Sequence, residues 1–162
     1  GYDHKYTYSH LGYNLKVTEM QAAIGVAQLN KLDGFLAARR LNFDALKAGL
    51  KAYEQFFILP EPTPNSQPSW FGFLLSVRPG APFKREELTT FLENRRIGTR
   101  LLFAGNIICQ PYFKEVRHRT VGKLENSDRI MRDAFWIGLY PGISTEMIAY
   151  VIGAFQEFFR TR

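Results

Sequence analysis

Apolar positions recur along this chain with two periods, and the alternation between them lays out its elements. From Met20 through Ile24, Val26 and Leu29, then Leu32, Phe35, Leu36, Leu41, Phe43, Leu46 and Leu50, the spacing is helical. Thr18, followed three residues later by Gln21, is a capping box opening this run, in which hydroxyl and amide each satisfy a free backbone N–H. Gly25 and Gly34 each lower helix propensity by about 1 kcal/mol relative to Ala. The run therefore predicts a long helix over 18–51, or two helices with a kink near Gly34. Glu19 in the first turn and Lys47 and Lys51 in the last complement the helix dipole.

Shorter periods follow. Phe56 to Leu59 is a strand-like run stopped by Pro60, and the proline-rich stretch 61–68 is a loop. Ser69 to Val77, with Trp70, Phe71, Phe73 and Leu75, reads as a buried strand turned by Pro79-Gly80. Lys84 to Arg96 is helical, with Leu88, Phe91 and Leu92 on one face and Glu86 and Glu87 in the first turn. Ile97 to Phe103 is a second strand, ending in the turn Ala104-Gly105-Asn106. From Gln110 to Lys123 the chain is basic and less regular. Asn126 or Ser127 caps a short helix through Ala134, and Phe135 to Leu139 is a third strand ended by Tyr140-Pro141-Gly142. Ser144 caps a last helix, where Met147, Ile148, Val151, Ile152, Phe155, Phe158 and Phe159 recur at helical spacing. With the run at Phe56 set aside, this predicts a three-stranded sheet covered by helices, an α+β or open α/β arrangement. Strand direction is not encoded in the pattern.

Composition narrows the class. At 162 residues the chain suits one domain with a real core. Its 14 Phe and 8 Tyr suit large buried surfaces, an interface among them. The single cysteine, Cys109, leaves no disulfide framework or Cys-rich metal site; between its apolar neighbours it reads as a small buried or half-buried hydrophobe. No run reaches the roughly 18 apolar residues of a membrane span, and no secretory leader is recognisable, so no membrane association is expected and the simplest compartment is cytoplasmic. The chain opens at Gly1 directly into a motif, and reads as part of a longer protein. A formal charge of +6 suits anionic partners such as phosphates. The cations are scattered (Arg39-Arg40, Lys84-Arg85, Arg95-Arg96, Arg117 to Arg119), and without a nucleic-acid motif no nucleic-acid partner is expected.

No complete catalytic set emerges. His4, His10 and His118 lack metal-ligand spacing among themselves or with Cys109, so no metal site is expected. A Cys–His nucleophile pair would have nothing to orient it. The helix start at Thr18 reads either as a phosphate site, since helix N-termini present N–H donors, or as a well-capped core helix. Asn14 lies in the turn before it. Arg100, alone in an apolar strand, is either a surface or ion-paired cation or, beside the Gly105-Asn106 turn, a ligand contact.

Resemblance goes further. The stretch GYNLKVTEMQAA over 12–23 resembles the G-x-N-x-R-M-x-x-x-Q-A-A signature of the sugar aminotransferase/dehydratase superfamily, vitamin B6 enzymes of fold type I acting on nucleotide-linked keto sugars. The longer stretch YSHLGYNLK over 8–16 is similar to the branch of CDP-4-dehydro-6-deoxyglucose 3-dehydrases of lipopolysaccharide O-antigen biosynthesis. PSWFGF over 68–73, IGTRLLFAGN over 97–106, QPYF over 110–113 and FWIGLYPG over 135–142 resemble the same branch. Aminotransferases of the family usually carry a His-containing segment where this chain has Leu101 to Asn106.

The resemblance implies the small C-terminal domain of a larger fold type I enzyme: 1–17 as active-site loop and lead-in, 18–51 as long helix, 56–162 as sheet-and-helix layer. It implies that Asn14 reaches the cofactor phosphate of the neighbouring subunit of a homodimer. Lys16, where Arg is commoner, would meet the nucleotide-sugar phosphates without the bidentate fork of a guanidinium. Tyr6, Tyr8 and His10 would be neighbours of the site, and Arg100 and Asn106 its substrate-side candidates. The implied chemistry is imine formation between pyridoxamine phosphate and the C4 ketone of CDP-4-dehydro-6-deoxyglucose, then proton abstraction and loss of the C3 hydroxyl, with the cofactor as electron sink. A [2Fe-2S] cluster would be held upstream of this chain, and an NADH-dependent iron–sulfur flavoprotein reductase would complete the deoxygenation. Alone the chain, with no catalytic residue of its own, is expected to be inactive. The alternatives are a sugar aminotransferase, marked by a cofactor-anchoring Lys upstream, and a non-catalytic binding module.

Overall fold

The computed structural model describes residue 13 and residues 15–160. Two compact units divide the chain, Gly1–Asp33 and Gly34–Arg162.

The first unit carries helix α1, Glu19–Leu29. The Thr18 hydroxyl accepts the Gln21 N–H at 3.3 Å, and the Gln21 side chain accepts the Thr18 N–H at 3.0 Å. The capping box of the sequence is thus formed. The helix stops after Leu29, and α2 begins at Leu32 and runs to Leu50. The break therefore falls at Asn30-Lys31 rather than near Gly34, because the Asn30 and Lys31 N–H groups turn back onto Val26 and Gln28 carbonyls. The core-helix reading of α1 is corrected too: Met20, Ile24, Val26 and Leu29 are all exposed.

The second unit is built on a four-stranded antiparallel sheet of order β1-β2-β4-β3, with β1 Phe57–Ile58, β2 Gly72–Val77, β3 Thr99–Leu101 and β4 Ala134–Gly138. The expected three strands become four because the short run at Phe56 supplies β1, paired to β2 through Phe57 and Val77. β2 starts only at Gly72, and Phe71, expected buried, is 73% exposed. Helices α3 (Arg85–Asn94), α4 (Glu125–Asp133) and α5 (Thr145–Arg160) complete the layer. Glu87 caps α3 by accepting the Lys84 N–H at 2.8 Å, and Ser144 caps α5 through the Met147 N–H. The cap expected at Asn126 or Ser127 is not formed: α4 opens after Leu124, which makes no side-chain cap, and both polar residues fall inside its first turn.

Period-2 alternation puts Phe73, Leu75 and Val77 of β2 and Phe135 and Ile137 of β4 on one face. They form one core with Phe43, Leu46 and Leu50 of α2, Leu88 and Leu92 of α3, and Ile148, Phe155 and Phe158 of α5. Edge-on rings knit it: Phe57 to Phe155 at 6.1 Å, and Phe83 to Phe158 at 5.2 Å. Each such ring contributes about 1.5–3 kcal/mol by leaving water. Gly49 lets α5 pack closely, since a Cβ there would overlap the Ile152 side chain unless that side chain moved.

Candidate functional site

The opposite face of the sheet is treated differently by the chain. The register aligns Leu74, Trp136 and Arg100 across β2, β4 and β3, so all three point away from the core. At the Ala134 end this face is closed; at the Gly138 end it opens into a groove of about 370 Å³ lined by Phe71, Gly72, Gly98, Arg100, Trp136, Gly138 and Tyr140, among others. Gly72 and Gly138 are paired at its floor. A Cβ at Gly72 would stand 3.4 Å from the Trp136 ring, in van der Waals contact with it, so the indole lies over this end of β2. A second, more apolar groove of about 550 Å³, with Met147 and Tyr150 on its wall, shares Gly98, Gly138 and Tyr140 with the first.

Two aromatic rings, Phe71 on the groove and Phe103 beyond its lining, pack against Trp136. Phe71 stands 5.0 Å from Trp136 at an interplanar angle of 54°, and Phe103 stands 5.1 Å away at 81°. Both Phe71 and Phe103 are largely exposed. Phe103 also adopts φ +50°, a left-handed conformation that costs a side-chain-bearing residue on the order of 1 kcal/mol.

Each wall is pinned from behind. The Arg39 guanidinium donates to the Trp70 carbonyl at 2.9 Å, fixing the residue before Phe71. The buried Asn42 amide donates to the Tyr140 and Ile143 carbonyls at 3.0 and 3.3 Å, fixing the corner after β4. Gly105, at φ +65°, packs so tightly on Met131 that a Cβ there would lie 2.8 Å from the Met131 Cα. Asn106 is buried; its amide donates to Asp128 at 2.6 Å and its oxygen accepts the Ile108 N–H. The turn that presents Phe103 is therefore tied to α4.

Arg100 sits at the edge of the groove, exposed, its Nη1 donating to its own strand at the Thr99 carbonyl. The start of β3 is clamped by Glu93, whose carboxylate accepts both the backbone N–H and the hydroxyl of Thr99. Those two bonds hold the Glu93 carboxyl below its usual range, with a smaller contribution from the Arg100 charge. Arg95 forks onto Glu157 and lies 3.5 Å above the Phe91 ring, joining α3 to α5. That fork, by its hydrogen bonds first, lowers the Glu157 carboxyl and raises the Arg95 guanidinium.

Of the residues singled out in the sequence, Arg100 lies on the groove, whereas Asn106 is committed to the Asp128 tie behind it. Lys16 is exposed and belongs to the first unit. Asn14, Tyr6, Tyr8 and His10 lie outside the described residues. Cys109, expected buried or half-buried, is exposed because it ends a short 3-10 turn, Ile107–Cys109, on the surface. No cluster of three or more His, Cys, Asp or Glu side chains suited to a metal occurs among the described residues. Nor is there, among them, a helix long and apolar enough to cross a membrane. Trp136, Phe71 and Phe103 were not legible as site residues. The available signal was the alternation in β4, which sets Trp136 opposite in phase to Phe135 and Ile137.

The described residues leading into α1 offer the phosphate of a pyridoxal-type cofactor one exposed cation, Lys16, and a helix start closed by its own capping box. By themselves these make no cradle for it.

The model of the DegT/DnrJ/EryC1/StrS aminotransferase family matches residues 1–156. The lipopolysaccharide biosynthesis protein RfbH of Salmonella typhimurium is 57% identical over 98% of this chain and 36% of its own length. The dTDP-4-dehydro-2,6-dideoxy-D-glucose 3-dehydratase of Saccharopolyspora spinosa is 51% identical over 98% of this chain and 34% of its own length. The chain thus spans about a third of the length of these curated relatives. The solved E. coli GDP-4-keto-6-deoxy-D-mannose-3-dehydratase with bound hydrated PLP superposes with a TM-score of 0.81 at 24% identity, covering 92% of this chain and 38% of that one. The fold is shared.

Proposed function

The chain belongs to the DegT/DnrJ/EryC1/StrS aminotransferase family, and from that premise we propose that it is the C-terminal domain of a vitamin B6-dependent nucleotide-sugar 3-dehydratase. Its substrate is CDP-4-dehydro-6-deoxyglucose, from which the C3 hydroxyl is removed on the way to a lipopolysaccharide dideoxysugar. The observation that carries this reading is the 51% identity to a 3-dehydratase across nearly the whole chain. In this reading residues 1–17 form the lead-in to the active site, 18–51 the helical connection and 56–162 the sheet-and-helix layer. The exposed apolar side chains of α1 then pack on the remainder of the longer protein, as a contiguous apolar helix surface calls for a partner.

Pyridoxamine phosphate, bound by the longer protein, would supply the electron sink for C–O cleavage, and a [2Fe-2S] cluster would be held outside this chain. By family resemblance Asn14 reaches the cofactor phosphate of the neighbouring subunit of a homodimer, and Lys16, Tyr6, Tyr8 and His10 approach the substrate from the same loop. Arg100 contributes a cation from the sheet, and Asn106 positions the turn beside it. The chain alone is inactive, and a flavoprotein reductase drawing on NADH completes the deoxygenation in the cytoplasm.

The test is the visible absorption of the full-length protein before and after borohydride. Iron–sulfur absorption with no borohydride-trapped lysine adduct is expected. A reducible lysine Schiff base without iron would instead make the parent a sugar aminotransferase.

A further inference from the structure

We propose that Trp136, flanked by Phe71 and Phe103, is a platform for the C–H face of the substrate's deoxyhexose, with Arg100 taking the diphosphate that adjoins it. The inference rests on the nucleotide-sugar reading above and names where on this chain the sugar sits.

Four observations converge on it. Trp136 lies on the sheet face left open, Phe71 just before β2 and Phe103 just after β3 pack against its ring, and both phenylalanines are more than 70% exposed. Exposing two phenylalanines is unfavourable unless something covers them, and Phe103 is in addition held in a left-handed conformation. The rings are preorganised, because the Arg39, Asn106 and Gly105 contacts fix the backbone on either side of the groove before any ligand arrives. The angles between the rings, 54° and 81°, make a corner. A flat base seeks parallel faces to lie between, whereas a puckered ring carrying a methyl group fills a corner with C–H contacts. Finally, Arg100 is the cross-strand neighbour of Trp136. In a nucleotide sugar the diphosphate is attached directly to the hexose, so a ring platform with a guanidinium one strand away matches that connectivity.

The experiment uses the full-length protein with CDP-glucose and CDP as probes, read by saturation-transfer NMR and by calorimetry. Saturation is expected on the hexose ring protons. Trp136→Leu is expected to weaken CDP-glucose about tenfold while leaving CDP binding unchanged, and Trp136→Phe to retain most of the affinity, which separates loss of the ring from loss of the fold. Arg100→Gln is expected to weaken both probes. Equal losses of CDP and CDP-glucose in Trp136→Leu would put the base, not the sugar, on the platform and overturn the proposal. Unchanged affinities with a lowered melting temperature would make the face a contact with the rest of the protein, and would overturn it while leaving the dehydratase reading in place. If the wild-type protein binds neither CDP-glucose nor its dTDP and GDP counterparts, the nucleotide-sugar reading falls with it.

Discussion

On one face of the sheet, Phe73, Leu75, Phe135 and Ile137 are sealed beneath α2, α3 and α5; on the other, Trp136 and Arg100 look into a groove, and the rings packed against Trp136, Phe71 and Phe103, stand largely in solvent. The same strands make both faces, and residues 135 and 136 differ only in phase. The sealed face is explained by its own interior: alternation, close ring packing and helices cut to cover it. The open face is not. It carries exposed aromatic area, a strained backbone and a network of side-chain-to-backbone bonds holding it in place, all of which lower stability or order the chain with no interior to show for it. Features of that kind gather where a scaffold presents groups to a ligand.

The sharpest way to break this contrast is to truncate neighbours in phase opposition. Phe135→Ala should cost about 3–5 kcal/mol in urea unfolding, because it empties a fully buried site, and would leave little of a typical domain's stability. Trp136→Leu should cost about 1 kcal/mol, since its ring is half-buried and its neighbours partly exposed. Comparable losses would mean that both faces are core. Next comes Gly105→Ala, which needs a side chain at φ +65° and forces Met131 away; a loss of about 1–3 kcal/mol is expected. Phe103→Gly should fall within about 1 kcal/mol of wild type, because relief of the left-handed strain offsets the lost ring contact.

The smallest effect is on pH. The folded-state pKa of Glu93 is depressed, so its contribution is complete above the ordinary glutamate range and is lost as pH falls through the folded value. Glu93→Gln should therefore lower the neutral plateau slightly and leave the acid end near wild type, flattening part of the acid limb of the stability–pH curve. The exposure of this carboxylate keeps the effect small.

The helices and three of the strands were legible because burial imposes a period that survives in the sequence: Leu88 with Leu92, and Phe155 with Phe158, are spaced by the helix itself. Caps at Thr18 and Ser144 were legible because they are local. β1 was set aside because a two-residue strand has no period to read, and only its pairing with Val77 defines it. The break at Asn30-Lys31 carries no Pro or Gly, and the cap before α4 was assigned to the wrong residues because Leu124 gives no polar signal. The site was the least legible part. Arg100 stood out as a lone charge in an apolar run, but Phe71, Phe103 and Trp136 looked like core. Aromatic residues read the same whether a helix or a ligand is to cover them, and the choice is made by strand phase and by turns fixed over long range, such as Asn106 to Asp128.

Hydrogen–deuterium exchange of the full-length protein with and without CDP-glucose tests the distinction between the faces most directly. Within the sheet-and-helix layer the account predicts new protection at residues 71–72, 98–104 and 136–142, with α3 and the buried side of α5 unchanged. Protection that spares these segments while the nucleotide sugar is bound would contradict it, and would return the open face to the role of a contact between domains.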